Sequence, residues 1–440
     1  MTSLTDAPVI SAGDTAWLLA ATALVLLMAP GLALFYGGMV RSKSVLNMIM
    51  MTFGALAVIT VIWVLVGYSL AFGDDVGGGL LGDPFQHFGL QSLVPESADS
   101  WLTVPVILFA AFQGLFCVIT GALVSGAIAD RARFGAWIVF VSVWTLLVYA
   151  PIAHWVFDAD HAGHAGGWLV NKVGLVDFAG GTAVEITSGA SALALALVIG
   201  TRVGFGKDPM RPHNLTLVML GAGLLWFGWF GFNAGSALRA DHTAAVVFVT
   251  TLCAGAAGSL GWLALERFRD GHATSLGAAS GLVAGLVAIT PSCSSLSPLG
   301  ALVMGAAAGI VCAIAVGLKY RFGYDDSLDV VGVHLVGGLV GTFGIGLIAT
   351  AAAPAGVDGL FYGGGVDQLG KQVLAGSVVL VYAFVVSGII GVVVDRLMGL
   401  RVHEEHEVSG IDLIIHAETA YDLHATAGAR TAGFLGHREQ

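Results

Sequence analysis

Long apolar runs separated by short polar connections set the pattern of this chain from its start to about residue 394. Runs of about 17 to 25 residues are long enough to cross a bilayer as helices. They fall near 15–37, 46–72, 103–129, 134–157, 179–200, 213–236, 243–265, 274–290, 299–317, 328–350 and 372–394. The pattern predicts an all-α integral membrane protein with eleven transmembrane helices over 1–394, followed by a polar tail over 395–440. Composition agrees: 57% of the 440 residues are hydrophobic, 11% are charged, and the mean hydropathy is +0.87. No soluble globular chain has that balance.

Charge placement tests the span count, because Lys and Arg collect in cytoplasmic connections of multi-span proteins. With the N-terminus outside, the outer connections hold only Lys172, Arg239 and Lys371 of the 18 basic residues, and none lies within a span. The inner side then carries Arg41, Lys43, Arg131, Arg133, Arg202, Lys207, Arg211, Arg267, Arg269, Lys319, Arg321, Arg396, Arg401, Arg430 and Arg438. An odd number of spans, N-terminus outside and C-terminus in the cytoplasm, in a cell membrane, is the expected topology. The start carries Asp6 and Asp14 and no basic segment, so the first span reads as retained rather than as a cleaved signal.

Several function classes drop out. A net charge of −11 lacks the basic face that nucleic acid requires. The glycine clusters sit inside apolar spans and no Walker sequence is present, which argues against ATP-driven pumping by this chain. Cys117, Cys253, Cys293 and Cys312 form neither a metal spacing nor a disulfide framework, and read as small packing residues. No metal, cofactor or enzymatic activity is expected. The 63 glycines, in runs such as Gly337 to Gly346, suit close helix packing in lipid.

One residue breaks the apolar rule. Glu185 is the sole charged side chain between Phe178 and Gly200, and a carboxylate in hydrocarbon is costly enough to mark a polar partner or a conducted species. The tenth span offers the partner: "VEITSGASAL" from Val184 and "VHLVGGLVGT" from Val333 both place a titratable residue second and a glycine sixth. Five spans apart, the two segments run in opposite directions. Two five-helix inverted repeats plus a final helix are therefore expected, a recurring transporter plan with its path at the pseudo-symmetric interface. Straight-helix arithmetic puts Glu185 about 12 Å below Asp177 and His334 about 8 Å from Asp329. Across a core of about 30 Å that leaves a gap between Glu185 and His334. Asp177 reads as a helix cap, and Asp329 as the cap of the tenth span.

At "DFAGGTAVEITSGASAL" (Asp177 to Leu193) the chain resembles the ammonium transporter family, the Amt/Mep/Rh proteins. "FQGLFCVIT" from Phe112, "GWFGFNAGSA" from Gly228 and "DDSLDVVGVHLVGGLVGT" from Asp325 match in order, and "GIDLIIHAETAY" from Gly410 is similar to the family's cytoplasmic C-terminus. The resemblance covers nearly the whole chain. It implies that ammonium or methylammonium is recruited at an external site of Ser236, Phe116, Phe157 and Asp177, with Phe116 and Phe232 stacked as a gate. Phe157, a weaker cation–π partner than tryptophan, stands where the family usually has tryptophan; Trp155, two residues away along a helix, falls on another face. Glu185 and His334 occupy the positions of the family's paired histidines and form a proton relay. His154, Gln113, Trp229 and Asn233 read as scaffold or vestibule wall.

Passing a bare cation through a dry pore costs on the order of tens of kcal/mol. Ammonium can shed a proton where potassium cannot, so an apolar pore that admits the amine alone rejects metal cations by chemistry. Net movement of one positive charge is the expected outcome, with the proton carried by Glu185 and His334. The resemblance also implies a homotrimer and a PII-type signalling protein at the cytoplasmic mouth. An ammonium sensor with little flux and a passive NH3 channel are the competing readings.

Overall fold

The computed structural model describes residues 9–95, 101–161 and 163–421; Asp6, Arg430 and Arg438 lie outside the described residues. Among the described residues the only β-structure is isolated bridges, and helices carry the architecture. In chain order these are α1 (Ala12–Met39), α2 (Val45–Phe72), α3 (Val106–Ile128), α4 (Phe134–Phe157), α5 (Gly181–Ile199), α6 (Leu215–Gly235), α7 (His242–Arg269), α8 (Ser275–Ile289), α9 (Pro298–Phe322), α10 (Val331–Ile348) and α11 (Asp367–Met398). Ten of them are long and apolar enough to cross a membrane; α8, where the eighth span is expected, has 15 residues.

At 1.5 Å per residue α8 reaches about 22 Å, short of a hydrocarbon core of roughly 30 Å. Pro291 ends it, having no N–H to extend the helical ladder. The irregular chain that follows stays buried, with Thr290, Ser292, Ser294 and Ser295 shielded from solvent. Non-helical backbone at this depth requires partners inside the protein. Thr250 Oγ1 donates to the Cys293 carbonyl at 2.9 Å, and Trp229 Nε1 donates to Thr290 Oγ1 at 2.9 Å.

Polar residues flanking the apolar runs start the helices. Ser11, Asn214, Asp241, Thr274 and Ser297 each accept a first-turn N–H of α1, α6, α7, α8 and α9. Small residues then set the packing. An ideal Cβ at Gly258 of α7 would lie 2.4 Å from the Gly281 carbonyl of α8, one at Gly305 of α9 2.2 Å from the Ala254 carbonyl, and one at Gly309 2.1 Å from the Gly258 carbonyl. The three helices thus meet backbone to backbone, as small residues allow in lipid.

α5 and α10 begin inside the protein, since residues 179–186 and 325–328 are buried. An offset of 149 residues superposes their features. Asp177 accepts from the N–H groups of Gly180, Gly181 and Thr182 at 2.7 to 2.8 Å, and Asp326 accepts from those of Val330 and Val331 at 3.1 and 2.7 Å. Gly180 and Asp329 both have positive φ, 113° and 64°, and each helix opens with a π-helical turn, Gly181–Ile186 and Val331–Leu335. The cap of α10 is therefore Asp326, not the expected Asp329. Asp329 instead meets Lys319 Nζ at 2.6 Å, because its left-handed backbone turns the side chain away from the helix start.

One face of the bundle holds the connections α1–α2, α3–α4, α5–α6 and α9–α10, and here the tail docks. Arg202 grips Asp325 with two hydrogen bonds of 2.8 and 2.9 Å and Asp130 at 3.1 Å, all buried. Arg131, also buried, donates to Gly200, Ser327 and Asp325. Val402 N donates to the Arg131 carbonyl, and buried Glu407 accepts from Val203 N at 2.7 Å and pairs with Arg401 at 2.8 Å. Asp412 accepts from Leu46 N and Asn47 N, so the tail caps α2. Tyr421 reaches His213 at 2.8 Å. Through residue 421 the tail lies docked on this face. On the opposite, far face, His164 bridges two loops, its ring nitrogens 2.8 Å from Asp74 and 2.9 Å from Asp158. Hydrogen bonding to Asp158, then to Asp74, outweighs burial and raises His164 from 6.5 to about 9.

Candidate functional site

Glu185 and His334 meet. His334 Nδ1 lies 2.7 Å from Glu185 Oε2, with 4% and 1% of the residues exposed. One hydrogen bond joins them, its donor an imidazole N–H or a carboxyl O–H. The gap expected from straight spans is closed because both helix starts are sunk into the bundle and each residue sits in a widened turn, a geometry frequent at functional sites. Glycines allow the crossing: a Cβ at Gly189 would sit 2.4 Å from Leu335 N, and one at Gly338 2.9 Å from Glu185 Cβ. The carbonyl of Glu185 accepts from Ser188 Oγ at 3.1 Å.

The pair lines a narrow internal space with Met28, Leu32, Leu225, Trp229 and Phe232. Its volume is about 10 Å3, roughly what one water requires. Trp229, expected as scaffold or vestibule wall, thus belongs to the inner wall. Phe232 stacks on Phe116 with ring centroids 4.0 Å apart and planes 11° from parallel, and both rings are buried. Phe157 meets Phe116 edge-on at 6.3 Å. Trp155 lies on another face, against Trp168 and Tyr382, its Nε1 donating to the Leu80 carbonyl.

One turn beyond Phe232, Ser236 Oγ donates to the Phe232 carbonyl at 2.8 Å. Ser236 lines a second cavity, open on the far face, with Trp101, Thr103, Phe178, Arg239 and Asp241. Phe116, Phe157 and Asp177 are not in its wall. Asp177 is occupied as a cap, its oxygens taken by Gly180, Gly181 and Thr182. The four residues expected to form one external site therefore fall at a rim (Ser236), in an edge-on ring pair (Phe116, Phe157) and at a helix start (Asp177). Trp101, Phe178 and Arg239 escaped the reading of the sequence; a tryptophan and an arginine at span ends were the available signals. His154 is buried in the scaffold, Nδ1 3.1 Å from both the Ala71 carbonyl and Asp158. Among the described residues no cluster fit to hold a metal ion occurs.

Comparison with known proteins gives this arrangement a family. The family model "Ammonium Transporter Family" matches residues 16–421. The ammonium transporter of Mycobacterium tuberculosis (strain ATCC 25618 / H37Rv) is 56% identical over 438 residues, 95% of this chain and 92% of its own length. That of Corynebacterium glutamicum is 45% identical, covering 94% of this chain and 90% of its own. Among solved structures, Mep2 of Saccharomyces cerevisiae aligns with a TM-score of 0.82 at 35% identity, over 90% of this chain and 88% of that one. A Sensor Amt Protein aligns at 0.84 and 28% identity, over 91% and 98%. With sunken helix starts, a ring stack and a multi-span apolar bundle all in place, the chain belongs to the ammonium transporter family.

Proposed function

We propose that this protein carries ammonium across the cell membrane by separating NH3 from its proton. The observation that supports this best is the 2.7 Å Glu185–His334 contact beside an apolar space too narrow for a hydrated ion. NH4+ is recruited on the far face, which is external. It gives its proton to the Glu185–His334 pair below the Phe116–Phe232 stack, and NH3 crosses. The proton travels along Glu185 and His334, which titrate as one coupled unit because each charged form stabilises the other. Potassium has no proton to give and meets a space lined mostly by apolar side chains, with too few oxygens to replace its hydration shell.

In this reading the eleven helices are two inverted five-helix repeats, α1–α5 and α6–α10, plus α11. The N-terminus is outside, the tail is cytoplasmic, the assembly is a homotrimer, and a PII-type protein docks at the tail face. The repeats are supported by the 149-residue offset that relates caps, positive-φ residues, titratable residues and glycines.

Ammonium-evoked currents from proteoliposomes on a solid-supported membrane test the scheme alongside methylammonium uptake. Current with saturable uptake is expected. Uptake without current would mark a passive NH3 channel, and neither would mark a sensor. Glu185→His should retain transport with a shifted pH profile while Glu185→Ala abolishes or uncouples it; unchanged profiles in both would remove Glu185 from the proton path.

A further inference from the structure

The cavity on the far face is larger than its expected cargo. Its volume is about 200 Å3, where a single water needs roughly 10–15 Å3 on the same measure. Its aromatic wall includes Trp101, which is 37% exposed and held in place by Phe109 and His161, with ring centroids 5.6 and 5.7 Å away. Phe157 is turned edge-on to Phe116 and is absent from this wall.

Arg239 and Asp241 lie in the same wall and oppose each other in charge. Among the described residues the one Lys or Arg placed over an aromatic ring is Lys319 over Tyr320, so none of the described Lys or Arg side chains covers Trp101. An indole is the strongest aromatic partner for a cation, and aromatic walls suit methylated ammonium ions, whose charge is spread over methyl groups.

We infer that the Trp101 cavity binds alkylammonium ions, including quaternary ones, and that quaternary ions act there as blockers that do not pass. Tetramethylammonium has no proton to lose, and its four methyl groups exceed the space below the Phe116–Phe232 stack. Binding takes place at the rim, by Trp101 and Phe178, with Asp241, whose Oδ1 caps α7, adding negative charge to the wall. The inference rests on the far face being the side of recruitment.

Two measurements on the full chain test it. Tetramethylammonium binding to detergent-solubilised protein, by calorimetry, reads the site whether or not transport occurs. Inhibition of labelled methylammonium uptake in proteoliposomes reads its place on the path. Wild type should bind, and Trp101→Ala should weaken binding by about 2- to 30-fold, the range of a single cation–π contact. Trp101→Phe should lie between them and also guards against a folding defect, which the melting temperature of each variant reports. Phe157→Ala should leave tetramethylammonium binding unchanged, and inhibition of uptake should be competitive. Equal binding by wild type and Trp101→Ala, or no binding by a folded wild type, would overturn the inference. Binding without inhibition would leave the Trp101 site in place and overturn its position on the route.

Discussion

Gly189→Ala introduces one methyl group at the point where α5 and α10 cross. An ideal Cβ there lies 2.4 Å from Leu335 N and 2.5 Å from Leu335 Cβ. Ordinary non-bonded contact begins at about 3.5 Å, so α10 must retreat by roughly 1 Å. The Glu185–His334 hydrogen bond starts at 2.7 Å. The same displacement stretches it to about 3.7 Å, past the roughly 3.2 Å at which an N–H···O bond is effectively lost. Overpacking of this kind costs about 1–3 kcal/mol, so the protein should still fold, with a lowered melting temperature. The evoked current should fall by about tenfold or more, since a positioned proton acceptor contributes at least that much to proton transfer. Gly223→Ala is the control, because nothing lies within 4 Å of its added Cβ. Wild-type current and pH profile in Gly189→Ala would refute the claim that this crossing holds the proton pair together.

Other parts of the molecule give further expectations. Arg202→Ala leaves Asp325 and Asp130 buried beside a missing cation, which should cost about 3–5 kcal/mol; the melting temperature should drop, and Asp325→Ala in the same chain should recover part of it. His164 is raised in the folded protein, so its contribution to stability is complete below 6.5 and is lost as pH rises through about 9. His164→Gln should therefore melt lower than wild type at pH 6, with the difference gone at pH 10; an equal difference at both would refute the bridge. Arg239 lines the far-face cavity, and if ammonium arrives there as proposed, removing the charge with Arg239→Gln should lower the KM for ammonium by about twofold at low ionic strength, with the effect gone in about 1 M salt, where charges are screened within a few ångströms. A KM insensitive to both changes would show that the guanidinium does not face the arriving ion.

Much of the architecture was legible because membrane-spanning helices must be long and apolar, and little else in the chain is. α8 was the exception: its apolar run continues toward Pro291, but a run of that composition reads the same whether the helix spans the bilayer or stops and hands over to buried irregular chain. The shared spacing around Glu185 and His334 identified partners that straight-helix geometry placed apart. What hydropathy lacks is depth, and neither the sunken starts at residues 179–186 and 325–328 nor the π-helical turns leave a mark in it. Arg131 and Arg202 were read only as markers of sidedness; their burial depends on Asp325 and Asp130 arriving from other connections. The choice of Asp326 over Asp329 as the cap depends on a positive φ at Asp329, which its sequence neighbourhood does not advertise. Trp101 was missed for a related reason: it precedes α3 by several residues and reaches the Ser236 cavity only through the tertiary fold.

The glycine crossing of α5 and α10, one helix from each proposed repeat, bears on how turnover can occur. Backbone packed this closely leaves no slack for one helix to ratchet past the other, so one repeat rocking against its mate is a poor candidate for the working stroke. In the proposed scheme flux then goes through a standing conduit in which the moving parts are the phenyl rings and a hydrogen ion. Throughput should be insensitive to chemical staples placed across α5 and α10, an immunity that a rocking carrier would not share.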